Sequence, residues 1–271
     1  GRDVALAIGP GLAKKAIAVK LDGTEVRDLD RLIERDAKIS IITASNDNPD
    51  ALAVLRHSAA HVLAEAMCLL YPKTRLAYGP SIDDGFFYDM QIRNAADEAV
   101  TLTDGDFAKV EAKMKEIIQA NRPFTRTDYA SDVGLARTAN DKYKQDNAER
   151  AIAKGSQSIS FYSTGAPGEA WEDLCAGPHV PSTGVLSAFK IMSVAGAYWH
   201  GDQTSDQLTR VYGTCFADDK GLKAHLTRIE EAKKRDHRKL GKEMNLFHVD
   251  DENPGQVFWH PKGWSIYRAL E

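Results

Sequence analysis

Residues 51–72, "ALAVLRHSAAHVLAEAMCLLYP", constrain the fold most: apolar residues recur at helical spacing until Pro72 stops them. The preceding "SNDNPD" (45–50) is a loop, and Pro49 and Asp50 are natural helix-start residues. This helix carries His57 and His61, four positions apart and therefore one turn apart on a single face. No Glu follows the first His in His57-Ser58-Ala59-Ala60-His61, so the metalloprotease pattern HExxH is excluded. Taken alone, such a pair is more often structural than chemical.

A second pair changes the balance. Within "EDLCAGPHVPSTG" (172–184), Cys175 and His179 are also four apart, but Gly177 and Pro178 lie between them, so no continuous helix sets their geometry. The loop pair is expected to face the helical pair. Three imidazoles and a thiol suit tetrahedral zinc, or a polar cleft in which imidazoles handle protons. Two chemistries stay open: a zinc-bound water of lowered pKa, or a metal-free water placed by His57 or His61 with a lysine or backbone groups. Spacing does not separate them.

The rest of the chain supplies the frame. "AIAVKLDGTEV" (16–26) reads as two strands around an Asp22-Gly23 turn, and "KISIITA" as a third strand. Residues 4–14 read as a short helix stopped by "GPG", and "RDLDRLIERD" as a brief polar helix or turn. These make a small α+β module ending near residue 45. "LAYGPSIDDGFFYDMQI" and "RVYGTCFA" look like strands, and "TDGDFAKVEAKMKEIIQANRP" is an amphipathic helix capped at Thr103 or Asp104. Residues 218–243 form a long charged helical pattern whose bland reading is a solvated connector. The net charge of −4 argues against general coating of nucleic acid but leaves room for a local basic face. Three cysteines (Cys68, Cys175, Cys215) make no disulfide framework and suit the cytoplasm. No unbroken apolar run reaches the length of a membrane span. The missing initiator Met fits a chain that begins inside a longer protein.

Six segments, "RHSAAHVLAEA", "GPSIDDGFFYD", "DLCAGPHVPSTG", "AGAYWHGD", "LTRVYGT" and "KRDHRKLGKEMNLF", together resemble the N-terminal part of a bacterial-type threonyl-tRNA synthetase, in order and over essentially the whole chain. The resemblance implies an α+β chain: a partial β-grasp TGS module (1–45), an editing domain (46–217), a linker helix (218–243) and the opening of a class II catalytic domain (244–271). It implies hydrolysis of mischarged Ser-tRNA(Thr). A pocket built for threonine rejects serine, one methyl smaller, by only about 1–3 kcal/mol, so a second site must supply the accuracy. By motif, His57 and His61 match the helical pair, and Cys175 and His179 the loop pair. Asp173 matches an acid at the serine pocket, Tyr88 an aromatic wall, and Lys144 a lysine that positions the hydrolytic water, with Lys142 a near alternative. The partner implied is tRNA(Thr) through its 3′-terminal seryl-adenosine.

The resemblance favours no metal for editing. Zinc at His57, His61, Cys175 and His179 is the competing reading, and ATP and the synthetase's catalytic zinc belong to a domain this chain lacks. A monomer is expected, from a parent that dimerises through its catalytic domain. The TGS part is expected to lack its first hairpin, and the glycine-rich segment 151–171 to give the cleft a different rim. The alternatives are an alanyl-type editing domain acting on tRNA(Ala), which the TGS remnant and the linker oppose, and a non-catalytic tRNA-binding module, which has no use for the four His and Cys residues.

Overall fold

Asp22 and Gly23 both take positive φ, 50° and 74°, and with Thr24 form the three-residue connection of a hairpin. β1 (Ala16–Leu21) therefore folds back on β2 (Glu25–Asp28), with Leu21 opposite Glu25. β3 (Ile39–Thr43) pairs with the other edge of β1, giving the antiparallel order β2-β1-β3. The expected single helix before this sheet is two, α1 (Arg2–Ile8) and α2 (Pro10–Lys15), because Pro10 starts a new helix where its missing N–H costs nothing. "RDLDRLIERD" opens with Arg27 and Asp28 at the end of β2 and continues as turn and irregular chain, with no helix. The central strand is buried on both sides. Val19 and Leu21 meet Ala5 and Ala13 in a small cluster, while Ile17 and Ala18 join the main core.

These coordinates come from a computed structural model that describes residues 1–168, 171–250, 252–253 and 255–271 and divides into two units, Gly1–Leu222 and Lys223–Glu271. In the first unit α3 (Pro49–Leu70) is the axis. The Asn48 side chain caps it by accepting from the N–H groups of Asp50 and Ala51, and Pro49 occupies its first turn. By length and composition α3 is apolar enough to cross a membrane, yet 14 of its 22 residues are buried against protein. It is a core helix.

One flank of α3 is a sheet of β4 (Arg75–Tyr78), β5 (Ser81–Ile82), β6 (Gly85–Gln91), β10 (Ala188–Tyr198) and β11 (Gln207–Phe216), in the order β10-β11-β6-β4 with β5 paired to β6. Phe86, Tyr88, Met90 and Val211 from this sheet share a core with Leu55, Leu63 and Met67 of α3. α4 (Phe107–Gln119) packs on α3 through Val110, Met114 and Ile117, behind a Thr103–Asp106 capping box. A second sheet, β7 (Phe124–Ala130), β8 (Ser158–Thr164) and β9 (Glu172–Leu174), carries α5 (Ser131–Arg137) and α6 (Lys142–Ala153). Of the glycine-rich rim segment 151–171, positions 169 and 170 lie outside the described residues; the remainder is the end of α6, β8 and a turn.

The charged segment 218–243 is corrected from one helix to two. α7 (Asp219–Lys234) ends near Arg235, and Asp236 starts α8 (His237–Glu243) by accepting from the Arg238 N–H. Within the second unit, β12 (Phe247–Val249) pairs with β13 (Val257–Trp259), and α9 (Pro261–Leu270) follows.

Candidate active site

The i, i+4 spacing sets His57 and His61 on the face of α3 that meets β9 and the loop after it, residues 175–180. The structure brings the two pairs together. His57 Nε2 lies 3.0 Å from Cys175 Sγ, and His179 Nε2 lies 3.4 Å from the same sulfur. The His57 and His179 rings stack at 4.5 Å, and Phe124 stacks on the other side of His179 at 4.8 Å.

Hydrogen bonding fixes which nitrogens are bare. The Ser58 hydroxyl donates to Val54 O at 2.8 Å and accepts from the Val180 N–H at 3.0 Å. Its one proton is thus used, so the 3.1 Å contact with His179 Nδ1 is an N–H donated to Ser58 Oγ. The Gly79 carbonyl beside the His57 ring favours its protonated form, and burial outweighs it. His179 Nε2 then carries a lone pair, and the Nε2 atoms of His57 and His179 both point at one thiol. Burial pushes the Cys175 thiol up to about 12, partly offset by the Gly177 N–H, so the sulfur keeps its proton and donates it. Burial also lowers His57, lowers His179 well below the usual imidazole value, and takes His61 to about 3. All three imidazoles are neutral at pH 7.

Beside this neutral cluster sits a charged one. Asp173 on β9 receives Lys144 Nζ at 2.6 Å on Oδ1 and the Tyr88 hydroxyl at 2.5 Å on Oδ2, while Lys144 also donates to Tyr88 at 3.0 Å. Burial alone would raise the Asp173 carboxyl; the Lys144 ammonium, His61 and the hydrogen bonds more than offset it and hold it low. The Asp141 carboxylate starts α6 by accepting from Tyr143 and Lys144 N–H groups. The helix then buries Lys144 and leaves Lys142 half-exposed, paired with Asp206. Of the two candidate lysines, Lys144 alone reaches the cleft.

A cavity of about 250 Å³ joins the clusters, lined by His57, His61, Tyr88, Lys144, Asp173 and Cys175 among others. Gly79 belongs to its wall because a side chain there would collide with the Tyr88 ring. His179 does not line the cavity. It is enclosed behind Cys175 and meets the cleft through that sulfur and through the rings of His57 and His61. His61 departs from the four-ligand expectation: its Nε2 faces Asp173 Oδ2 at 3.8 Å, and its buried Nδ1 finds no partner among the described residues.

The metal-capable group is therefore three residues, His57, Cys175 and His179. Their donor types suit zinc, with a fourth position open. Nitrogen and sulfur on one tetrahedral zinc stand about 3.5 Å apart, given bonds of about 2.0–2.3 Å. The 3.0 Å contact of His57 with Cys175 is a hydrogen bond, and it would have to open and lose its proton to admit the ion.

Two residues escaped the sequence reading. Ser58 sits inside the HxxxH motif, and its lone hydroxyl on an apolar helix was the available signal. Asp28, on β2, accepts from the His179 backbone N–H at 2.8 Å and the Tyr162 hydroxyl at 2.7 Å. No local pattern marks it.

Comparison with known proteins finds two domain families and relatives that match the whole chain. The TGS domain family matches residues 2–43, and the family described as threonyl and alanyl tRNA synthetase second additional domain matches 159–212. Threonine–tRNA ligases of Erythrobacter litoralis, Paramagnetospirillum magneticum and Teredinibacter turnerae are each 48% identical over 99–100% of this chain. The chain spans about two fifths of the length of these curated relatives. It carries a TGS domain followed by a synthetase second additional domain, and over its whole length it is homologous to threonine–tRNA ligases.

Proposed function

We propose that the cleft hydrolyses the seryl ester of mischarged Ser-tRNA(Thr), with residues 1–45 as the TGS module, 46–217 as the editing domain, 218–243 as the linker and 244–271 as the start of a class II catalytic domain. The observation that carries this reading is the pairing of two buried clusters, one neutral and one charged, across a cavity of about 250 Å³. The Asp173 carboxylate, shaped by Lys144 and Tyr88, takes the α-ammonium of the seryl group. The cleft wall stands where the extra methyl of threonine would lie, and exclusion by contact discriminates more sharply than the loss of hydrophobic attraction.

A water held by His57 and Lys144 attacks the ester carbonyl carbon. Its proton passes to the neutral imidazole, the carbonyl–ribose oxygen bond breaks, and the ribose oxygen leaves with a proton. The products are serine and tRNA with a free 3′-terminal hydroxyl. Lys144 offsets the negative charge that develops on the carbonyl oxygen. If zinc is bound, His57, Cys175 and His179 hold it, and it lowers the pKa of a bound water. The parent enzyme is a threonine–tRNA ligase of the cytoplasm, and its partner is tRNA(Thr).

The test is deacylation of Ser-tRNA(Thr) beside Ser-tRNA(Ala), with and without a chelator. Faster loss from tRNA(Thr), indifferent to chelator, is expected. Preference for tRNA(Ala) would transfer the site to the alanyl class, and loss of activity with chelator would move the triad into a zinc shell.

A further inference from the structure

The loop that presents Cys175 is held mostly by its own module. Its Cys175 carbonyl accepts from the Ser160 hydroxyl at 2.6 Å, its Ala176 carbonyl accepts from Arg126 at 2.8 Å, and its Val180 N–H donates to Ser58. Gly177 lets it turn with φ of 74° where a side chain would strike the Tyr162 hydroxyl. One anchor comes from elsewhere. Asp28 belongs to the three-stranded TGS sheet, 151 positions before His179, and its two carboxylate oxygens hold the His179 N–H and the Tyr162 hydroxyl. Tyr162 stands edge-on to the His179 ring at 4.5 Å and also receives Arg126 at 3.2 Å.

We infer that Asp28 is a positioning residue for editing: the TGS module places a carboxylate under the catalytic loop and sets where His179, and through it Cys175, stands beside His57. The inference rests on the proposed hydrolysis for its functional consequence, though its structural content is independent of it. His179 is held by Ser58 at Nδ1, by Cys175 at Nε2, by Phe124, His57 and Tyr162 around its ring, and by Asp28 at its backbone N–H. Only the last lies outside residues 46–217. A bond from a backbone N–H to a carboxylate is charge-assisted, as is the Arg126 bond to Ala176, and both are stronger than the neutral bonds of Ser160 and Ser58 to the loop. The sheet that carries it is itself seated on α3 by Ile17, Ala18 and Ile42 and by the 2.7 Å pair of Lys20 with Asp50, so Asp28 is a fixed point rather than a swinging side chain. The TGS module thus serves the editing site directly.

The experiment compares Asp28→Ala and Asp28→Asn with the unaltered chain by single-turnover loss of serine from Ser-tRNA(Thr) and by hydrogen exchange of the loop amides. Asp28→Ala is expected to lower the maximal rate about 10- to 100-fold with the half-saturating concentration nearly unchanged, because a misplacement of about 1 Å is worth that much. The His179 amide is expected to exchange about 10-fold faster or more, while amides of α3 and β6 keep their protection. Asp28→Asn keeps an acceptor for His179 and is expected to recover the rate to within about three-fold. An Asp28→Ala chain with unaltered rate and His179 protection overturns the inference, as does protection lost equally in α3 and β6, which marks a merely structural residue. If the unaltered chain releases no serine, the functional reading falls, and the His179 amide alone decides whether Asp28 sets the loop.

Discussion

The two clusters that face each other across the cleft differ in charge and in burial: His57 and Cys175 are half-buried, whereas Lys144, Asp173 and Tyr88 are buried. His57, Cys175 and His179 are neutral, each nitrogen and sulfur arranged so that one proton is shared at the thiol. Lys144, Asp173 and Tyr88 hold a full ion pair with a phenol bridging it. Burial penalises charge, so an ion pair survives there only when hydrogen bonds complete both partners. The neutral cluster avoids that cost and is left free to take up a proton. Under the proposed function the difference divides the labour: Asp173 would receive the ammonium, and His57 would take the proton of a water that Lys144 helps to hold.

Breaking the charged side gives the largest effect. Asp173→Ala leaves the Lys144 ammonium buried without its carboxylate and is expected to cost about 3–5 kcal/mol of stability, read by urea unfolding. Replacing both Asp173 and Lys144 by apolar residues of similar volume should cost much less, because no charge is stranded. An Asp173→Ala chain as stable as the parent would show that the pair is not desolvated as described.

On the neutral side the expected loss is in rate rather than stability. His57→Ala should slow seryl-ester loss by about 10²–10⁴-fold while tRNA binding holds, measured by single-turnover kinetics and filter binding. An unaltered rate would remove His57 from the chemistry. Ser58→Ala sharpens the same point more gently. It leaves His179 Nδ1 and the Val180 N–H unsatisfied at a cost of about 1–3 kcal/mol. Nitrogen NMR should show the His179 tautomer changing from Nδ1–H to a mixture, and a tautomer indifferent to Ser58 would contradict the assignment.

The gentlest perturbation, needing no substitution, is a change of pH. An imidazole whose folded pKa lies below its unfolded value binds the proton only in the unfolded chain. Stability is therefore full above about pH 6.5 and falls as pH drops below it, with His61, at about 3, costing about 1.4 kcal/mol for each pH unit between those limits. His57 and His179 shift in the same direction. Thermal melts from pH 8 to pH 5 read this, and a melting temperature that rises on acidification would contradict neutral imidazoles.

The two clusters also differ in how far the sequence discloses them. His57 and His61 are legible because a helix converts spacing into direction, and the apolar run around them leaves no other element to choose. Cys175 and His179 are legible as a pair, but their orientation depends on Ser58 and Asp28, one of them 151 positions away. Lys144, Asp173 and Tyr88 come from three separate elements, and nothing local tells Lys144 from Lys142. Only the face that α6 turns inward separates them. The fold follows the same rule. The Asp22-Gly23 hairpin and α3 carry strong local signals, whereas β7, half-exposed along its length, and α5, short and interrupted by Gly134, gain their form from tertiary pairing.

The most direct measurement is the initial rate of ester loss from Ser-tRNA(Thr) and Thr-tRNA(Thr), matched in concentration, with this chain added. The account predicts that serine is released well above the spontaneous rate while threonine stays attached. Equal release of both would contradict a cleft that excludes the methyl group, and no release above the spontaneous rate would contradict hydrolysis at this site.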